Sequence, residues 1–263
     1  MKIFAISRLP RRLAALGILS ALAASVLVPA AALAAPAQAG ACGGDVKCII
    51  AFGDARIAER QAALTKLGTK IGDQLSKGHI TSAQAAPLQA QVTESQGDMT
   101  AIKTKLDADT TAAAARQDIH DVYWKYRIFA VVIPKTTRKA FYDVMTNVDA
   151  KLKGLEPKVE DAISKAPAGE KAQLNQLYSD YKAQLSETES QLDAALGQFD
   201  TLTVSNYNSA RATFETALTD LRNDENTAHT GLRKAAGDLH QIRQIRAGSK
   251  GGASATPSAT ASS

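Results

Sequence analysis

Apolar residues recur at alternating steps of three and four along most of the chain, and this spacing constrains the fold more than any other feature. In Leu174, Tyr178, Tyr181, Leu185, Thr188, Leu192, Ala195 and Phe199 every step is four or three. A period of 3.5 puts the whole set on one narrow stripe of an α-helix, and that stripe is hidden only against another helix. The same rhythm runs through Phe141, Met145, Val148, Leu152, Leu155, Val159 and Ala162. It returns in Phe214, Leu218, Leu221, Glu225, Ala228, Leu232, Ala235, Leu239 and Ile242. Two shorter stripes are Ile57, Leu64, Leu67, Ile71 and Leu88, Val92, Met99, Ile102, Leu106. Ala, the best intrinsic helix former, supplies 50 of the 263 residues, whereas aromatics are 5%. A β-sandwich would need β-branched and aromatic residues with frequent turn signals, so the composition argues against that class. The predicted fold is all-α: an elongated antiparallel helical bundle with coiled-coil-like seams.

The stripes are bounded by stop and start signals. The first helix is expected over 48–75 and ends at Ser76-Lys77-Gly78, where Gly78 suits a C-terminal cap. Thr81-Ser82-Ala83-Gln84 reads as a capping box opening the second helix, to about Asp107, with Ile80 placed as a hydrophobic staple. Pro87 lies past the best-tolerated first turn and is expected to distort it. Residues 108–133 are less regular. The apolar run Ile128 to Ile133 is too short to cross a bilayer as a helix. It reads as a buried helix end or an extended crossover stopped by Pro134. Three longer helices follow, over about 136–165, 170–199 and 205–246. Gly154 and Pro157 interrupt the first of them, and Ala166-Pro167-Ala168-Gly169 forms the turn after it. Short turns make neighbouring helices antiparallel. Internal hairpins favour a monomeric bundle over an oligomeric coiled coil, although an oligomer would use the same pattern.

The ends of the chain carry different signals. Residues 1–39 hold Lys2, Arg8, Arg11 and Arg12 before the apolar Leu13–Ala34 run, then Ala37-Gln38-Ala39, a small-x-small cleavage motif. This is the layout of a secretory signal peptide cut before Gly40. Ala32-Leu33-Ala34 is a second candidate cleavage motif, an uncleaved anchor is the competing reading, and Arg11-Arg12 hints weakly at twin-arginine export. The expected location is therefore extracytoplasmic, secreted or in the cell envelope, with no stable transmembrane segment after cleavage. Cys42 and Cys48 follow closely, and in an oxidising compartment they read as a disulfide; lipidation of Cys42 is the alternative. Residues 40–246 form the expected helical domain. Residues 247–263, rich in Gly, Ser, Ala and Thr, form the expected disordered tail. The net charge of +5 falls to +1 without residues 1–39, because 27 Lys and Arg then face 26 acids. The basic surplus that marks a nucleic-acid binder is missing.

Motifs for chemistry are scarce. There is no Gly-x-Ser-x-Gly, no phosphate loop, no His-Glu-x-x-His and no Glu-x-x-His. The expectation is a non-enzymatic protein, without a cofactor, acting on an unidentified protein or envelope component. Two constellations remain as ligand or partner contacts. His120, Trp124 and Arg127 lie in the aromatic-rich stretch Asp118–Arg127, which reads as a partner hot spot or ligand wall, or more plainly as an aromatic plug inside the core. Glu225 and His229 stand four apart on one helical face, which reads as a metal or proton-linked pair, or more plainly as a solvent-reaching polar pair. A third reading is association with a membrane surface through residues 128–133.

Gly78-His79-Ile80-Thr81-Ser82-Ala83-Gln84, Leu106-Asp107-Ala108-Asp109-Thr110, Tyr126-Arg127-Ile128-Phe129, Val132-Ile133-Pro134 and Asn206-Tyr207-Asn208 occur in that order. In these motifs, over about residues 50–246, the chain resembles a group of secreted helical proteins from actinobacteria. The resemblance implies compartment and helical character, and no site residues.

Overall fold

A computed structural model describes residues 42–252, with side chains to 248. The expected signal segment and the tail beyond 252 lie outside the described residues. Among those residues every regular element is helical and there is no strand. The helices are α1 (Val46–Ser76), α2 (Ser82–Asp107), α3 (Ala112–Trp124), α4 (Ile133–Lys153), α5 (Glu156–Ser164), α6 (Ala168–Gln198), α7 (Val204–Ser209) and α8 (Arg211–Gly252). A π-helical turn, Ile128–Val132, leads directly into α4, and a 3-10 turn, Phe199–Thr201, follows α6. Where the sequence suggests one helical domain, the internal contacts divide into two units. One comprises residues 42–144 and 193–224, the other 145–192 and 225–252.

In the first unit α1, α2 and α3 pack on one another. Asp45 caps α1, its carboxylate accepting from the Lys47 and Cys48 amides. Cys42 and Cys48 are joined in a disulfide across this cap. Gly78, at φ +66°, ends the helix. Its amide donates to the Leu75 carbonyl and the His79 amide to the Gln74 carbonyl, the paired bonds that close a helix through a left-handed residue. Three residues later the expected capping box is formed. The Thr81 hydroxyl accepts from the Gln84 amide at 3.2 Å, and the Thr81 amide donates to the Gln84 side chain at 2.9 Å. Ile80 is buried beside it. The helix passes through Pro87 without a break. The contacts Gln61–Thr100, Thr65–Gln96 and Gly68–Gln89 run in opposite sequence directions, so α1 and α2 are antiparallel. All five residues expected on the α2 stripe are buried, as are Ile57, Leu64, Leu67 and Ile71 on α1.

The second unit contains the rest of α4, α5 and most of α6 and α8. Gly154 and Leu155 separate α4 from α5, so the region expected to kink is a full break, and Pro157 sits in the first turn of α5, where its missing N–H is harmless. Tyr181 donates its hydroxyl to the Leu152 carbonyl, Tyr178 to Glu160, and Gln184 its amide to Asp238. Every residue predicted on the α6 stripe is buried, including the polar Thr188. Gly231 of α8 lies against Thr188 so closely that a Cβ built there would stand 2.3 Å from the hydroxyl oxygen.

Three boundaries differ from the sequence-based expectation. Pro134 does not stop a helix; it lies in the first turn of α4, and the widened π-turn before it relieves the crowding its ring imposes on the preceding turn. The helix expected from 205 to 246 is cut at Ala210, whose φ of −143° is non-helical. Its last part continues to Gly252, six residues into the stretch expected to be disordered.

Candidate functional site

The most unusual surface lies where α3 meets the π-turn, within the first unit. Ala115, Asp118, Ile119 and Val122 occupy the buried face of α3. His120 and Trp124, four apart, fall on the exposed face. Trp124 is 48% exposed. The aromatic-plug reading of this stretch is therefore corrected: the core-facing positions of α3 are already filled by Ala115, Ile119, Val122 and an Asp118 paired with Lys105, which leaves the indole outside.

Although half-exposed, the indole is held by two neighbouring side chains. Its ring stacks on the His120 imidazole, with centroids 5.5 Å apart and planes 12° from parallel. The Arg127 guanidinium lies 4.1 Å from the indole and 4.8 Å from the Tyr207 ring of α7, so it bridges both faces. Arg211 approaches the same Tyr207 ring at 5.6 Å, and Phe214 meets it edge-on at 5.1 Å. Such cation–π contacts contribute about 0.5–1 kcal/mol at exposed sites and more when desolvated. Asn208 completes the arrangement. Its carbonyl oxygen accepts from Arg127 Nε at 2.8 Å, and its amide donates to the Trp124 carbonyl at 2.9 Å. That carbonyl is one of the orphan acceptors at the end of α3, so Asn208 caps one helix while orienting the residue that leaves it.

Arg127 has a left-handed backbone, φ +45° and ψ +39°, and is the one described non-glycine residue with positive φ. A side chain in this region costs roughly 1–2 kcal/mol. The conformation separates α3 from the π-turn that starts at Ile128. Burial pulls the Arg127 guanidinium below its ordinary range, Tyr207 opposes this, and nearby Arg211 adds to it. The site thus displays an indole edge and cationic groups on a pre-ordered backbone.

The other predicted pair lies in the second unit. Glu225 and His229 are both half-buried on α8. Burial, and then the charge of Arg233, push the imidazole below its usual range, which favours neutral His229. Among the described residues no group of three or more His, Cys, Asp or Glu is placed to hold a metal ion. Of the 128–133 segment, Ile128, Val131, Val132 and Ile133 are buried, so these side chains do not form an exposed apolar face. No described helix is long and apolar enough to cross a membrane.

Tyr207, Asn208 and Arg211 belong to the site and are not found by reading periodicity. The one local signal was an Asn-flanked aromatic next to a helix start, which says nothing of a partner more than 80 residues earlier. No family model matches the chain, and neither curated proteins nor solved structures give a match.

Proposed function

We propose that this is an exported, non-enzymatic helical protein of the cell envelope or medium, and that it acts by contact with another protein through the Trp124 surface. The observation that carries the reading is the half-exposed Trp124, clamped between His120 and Arg127. Trp and Arg are enriched among residues that dominate binding energy, and an anchor already held in place loses little entropy on association. The signal layout of residues 1–39 and the Cys42–Cys48 disulfide support an extracytoplasmic setting.

A photoreactive amino acid at the exposed position 117, on α3 three residues before His120, tests the contact in living cells. The expected result is a discrete protein adduct in the envelope or medium fraction that disappears when Trp124→Ala is added, with the helical circular dichroism unchanged. No adduct, or one indifferent to Trp124→Ala, refutes the surface. Substrate turnover lost on changing one polar residue refutes the non-enzymatic reading. Intact mass of the exported chain tests cleavage before Gly40 and shows whether Cys42 is disulfide-bonded or lipidated.

A further inference from the structure

Arg60 lies on the buried stripe of α1, three residues after Ile57 and four before Leu64, and is only 3% exposed. Its guanidinium sits between two rings, 4.4 Å from Tyr123 and 5.1 Å from Phe129. Nη1 donates to the Arg56 carbonyl at 2.8 Å, while Nε has no hydrogen-bond partner. Among the described residues Arg60 forms no ion pair; the neighbouring Glu59 pairs with Arg56 at 2.7 Å, and its charge reaches Arg60 only from a distance, opposed by that of Arg56. The Tyr123 hydroxyl is also buried and faces the Arg60 guanidinium, without a hydrogen bond of ordinary geometry. Removing a charge from water without a counter-ion is costly, and ring contacts do not supply the hydrogen-bond acceptor that the buried Nε lacks. Beside this cation is a recess of about 70 Å³, bordered by Arg60, Tyr123, Arg127, Phe129 and the apolar Val122 and Ile128. The strained Arg127 is on its rim, and strain of this kind gathers at ligand sites.

We infer that this recess takes a carboxylate, carried on a short apolar body, with the Arg60 guanidinium and the Tyr123 hydroxyl as its donors. A carboxylate matches one uncompensated guanidinium in charge, and its two oxygens suit a planar fork. Phosphate, with more charge and more acceptor oxygens, would need donors that the apolar walls do not supply. Arg127 adds positive charge at the rim, but its Nε is committed to Asn208. The inference is separate from the protein-contact reading, since no residue of the Trp124 stack other than Arg127 borders the recess.

The test titrates the whole chain, labelled with nitrogen-15, with acetate, with butyrate, with inorganic phosphate, and with a short peptide having either a free or an amidated C-terminus. The expected result is a saturable shift of the Arg60 Nε–H resonance with the carboxylates and not with phosphate. Loss of the peptide effect on amidation identifies a terminal carboxylate as the source; a peptide without effect beside active butyrate identifies a free small acid. Variants are followed by the carboxylate-dependent rise in melting midpoint. Arg60→Met and Tyr123→Phe are expected to weaken binding, the former by roughly tenfold or more. Tyr123→Phe keeps the ring on Arg60, so it serves if Arg60→Met does not fold. Trp124→Ala is expected to leave binding intact, which separates this site from the protein contact. No saturable carboxylate shift, equal or better binding of phosphate, or full binding by Tyr123→Phe and Arg60→Met would overturn the inference.

Discussion

Replacing Gly53 by Ala sets two effects of opposite sign against each other. Gly53 lies within α1 and is buried against Leu106 of α2 and Ile119 of α3. A Cβ built there stands 2.5 Å from Leu106 Cδ2 and 2.9 Å from Ile119 Cγ1. Both neighbours are in the core, Leu106 at 0% exposure, so neither has free space to move into. Forcing an extra methyl into such a contact costs about 1–3 kcal/mol. Against this, Ala is about 1 kcal/mol better than Gly inside a helix. The expected net effect is a loss of about 1 kcal/mol, the difference between those two ranges. Gly97 of α2 provides the control, because nothing lies within 4 Å of its added Cβ. Gly97→Ala keeps the propensity gain without the clash, so it is expected to stabilise by about 0.4–1 kcal/mol. Subtracting one variant from the other cancels the propensity contribution and leaves the steric cost, roughly 1–3 kcal/mol. Urea unfolding followed by circular dichroism measures it as a shift in midpoint at unchanged slope. A Gly53→Ala protein as stable as Gly97→Ala would show that the three helices do not meet as described.

Other perturbations address the caps and the buried ionisable groups. Thr81→Ala removes the side-chain bond to the Gln84 amide and is expected to cost about 1 kcal/mol in the same assay. Asp143 is buried, and burial pushes its carboxyl up despite the bond from Lys139, so the folded state holds this proton more readily than the unfolded chain. Its contribution is fully present below the ordinary Asp range and is lost as pH rises through the elevated folded value. Stability of the wild type relative to Asp143→Asn should therefore grow as pH falls from neutral into the carboxylate range; a difference independent of pH contradicts this. Burial, with Glu160 as acceptor, raises the Tyr178 hydroxyl, and burial raises Tyr181 likewise. Both are expected to stay protonated in ultraviolet absorbance titrations when exposed tyrosines ionise, and the stability they contribute falls as pH climbs from the ordinary Tyr value toward the folded one. Leu174→Ala, emptying a fully buried position of α6, is expected to cost about 3–5 kcal/mol by the same unfolding assay.

What could be read in advance follows the range of the interactions. The α6 stripe from Leu174 to Phe199, the Thr81–Gln84 box and the Gly78 stop depend on residues within one or two turns, and each is present as expected. The break at Ala210 was hidden because 204–216 holds no Gly or Pro; on its first side Asn208 is tied to Arg127 and to the Trp124 carbonyl, 81 and 84 residues earlier. The left-handed Arg127 was hidden for the same reason, since its neighbours in sequence do not require it. Pro134 was read as a terminator because a first-turn proline and a helix-ending one look alike until the start of the helix is known. Trp124 was assigned inward on size alone. Its position four residues after His120, off the face marked by Ile119 and Val122, was the better guide.

Polar residues on buried stripes sort by whether the fold accounts for them. Gln74 closes the end of α1 by meeting His79 Nδ1 at 2.7 Å. Thr188 fills the space that Gly231 leaves open. Arg60 differs, because the same inspection that explains the others finds a buried cation with an unpartnered Nε and no ion pair among the described residues. It also borders the same recess as Arg127, where the backbone is left-handed, and contacts Phe129 of the π-helix before Pro134. Departures from local rules that fall together, without compensation inside the fold, mark function better than any one of them alone. In this chain they converge on the stretch from Tyr123 to Phe129, with a clamped indole outside and an uncompensated guanidinium within.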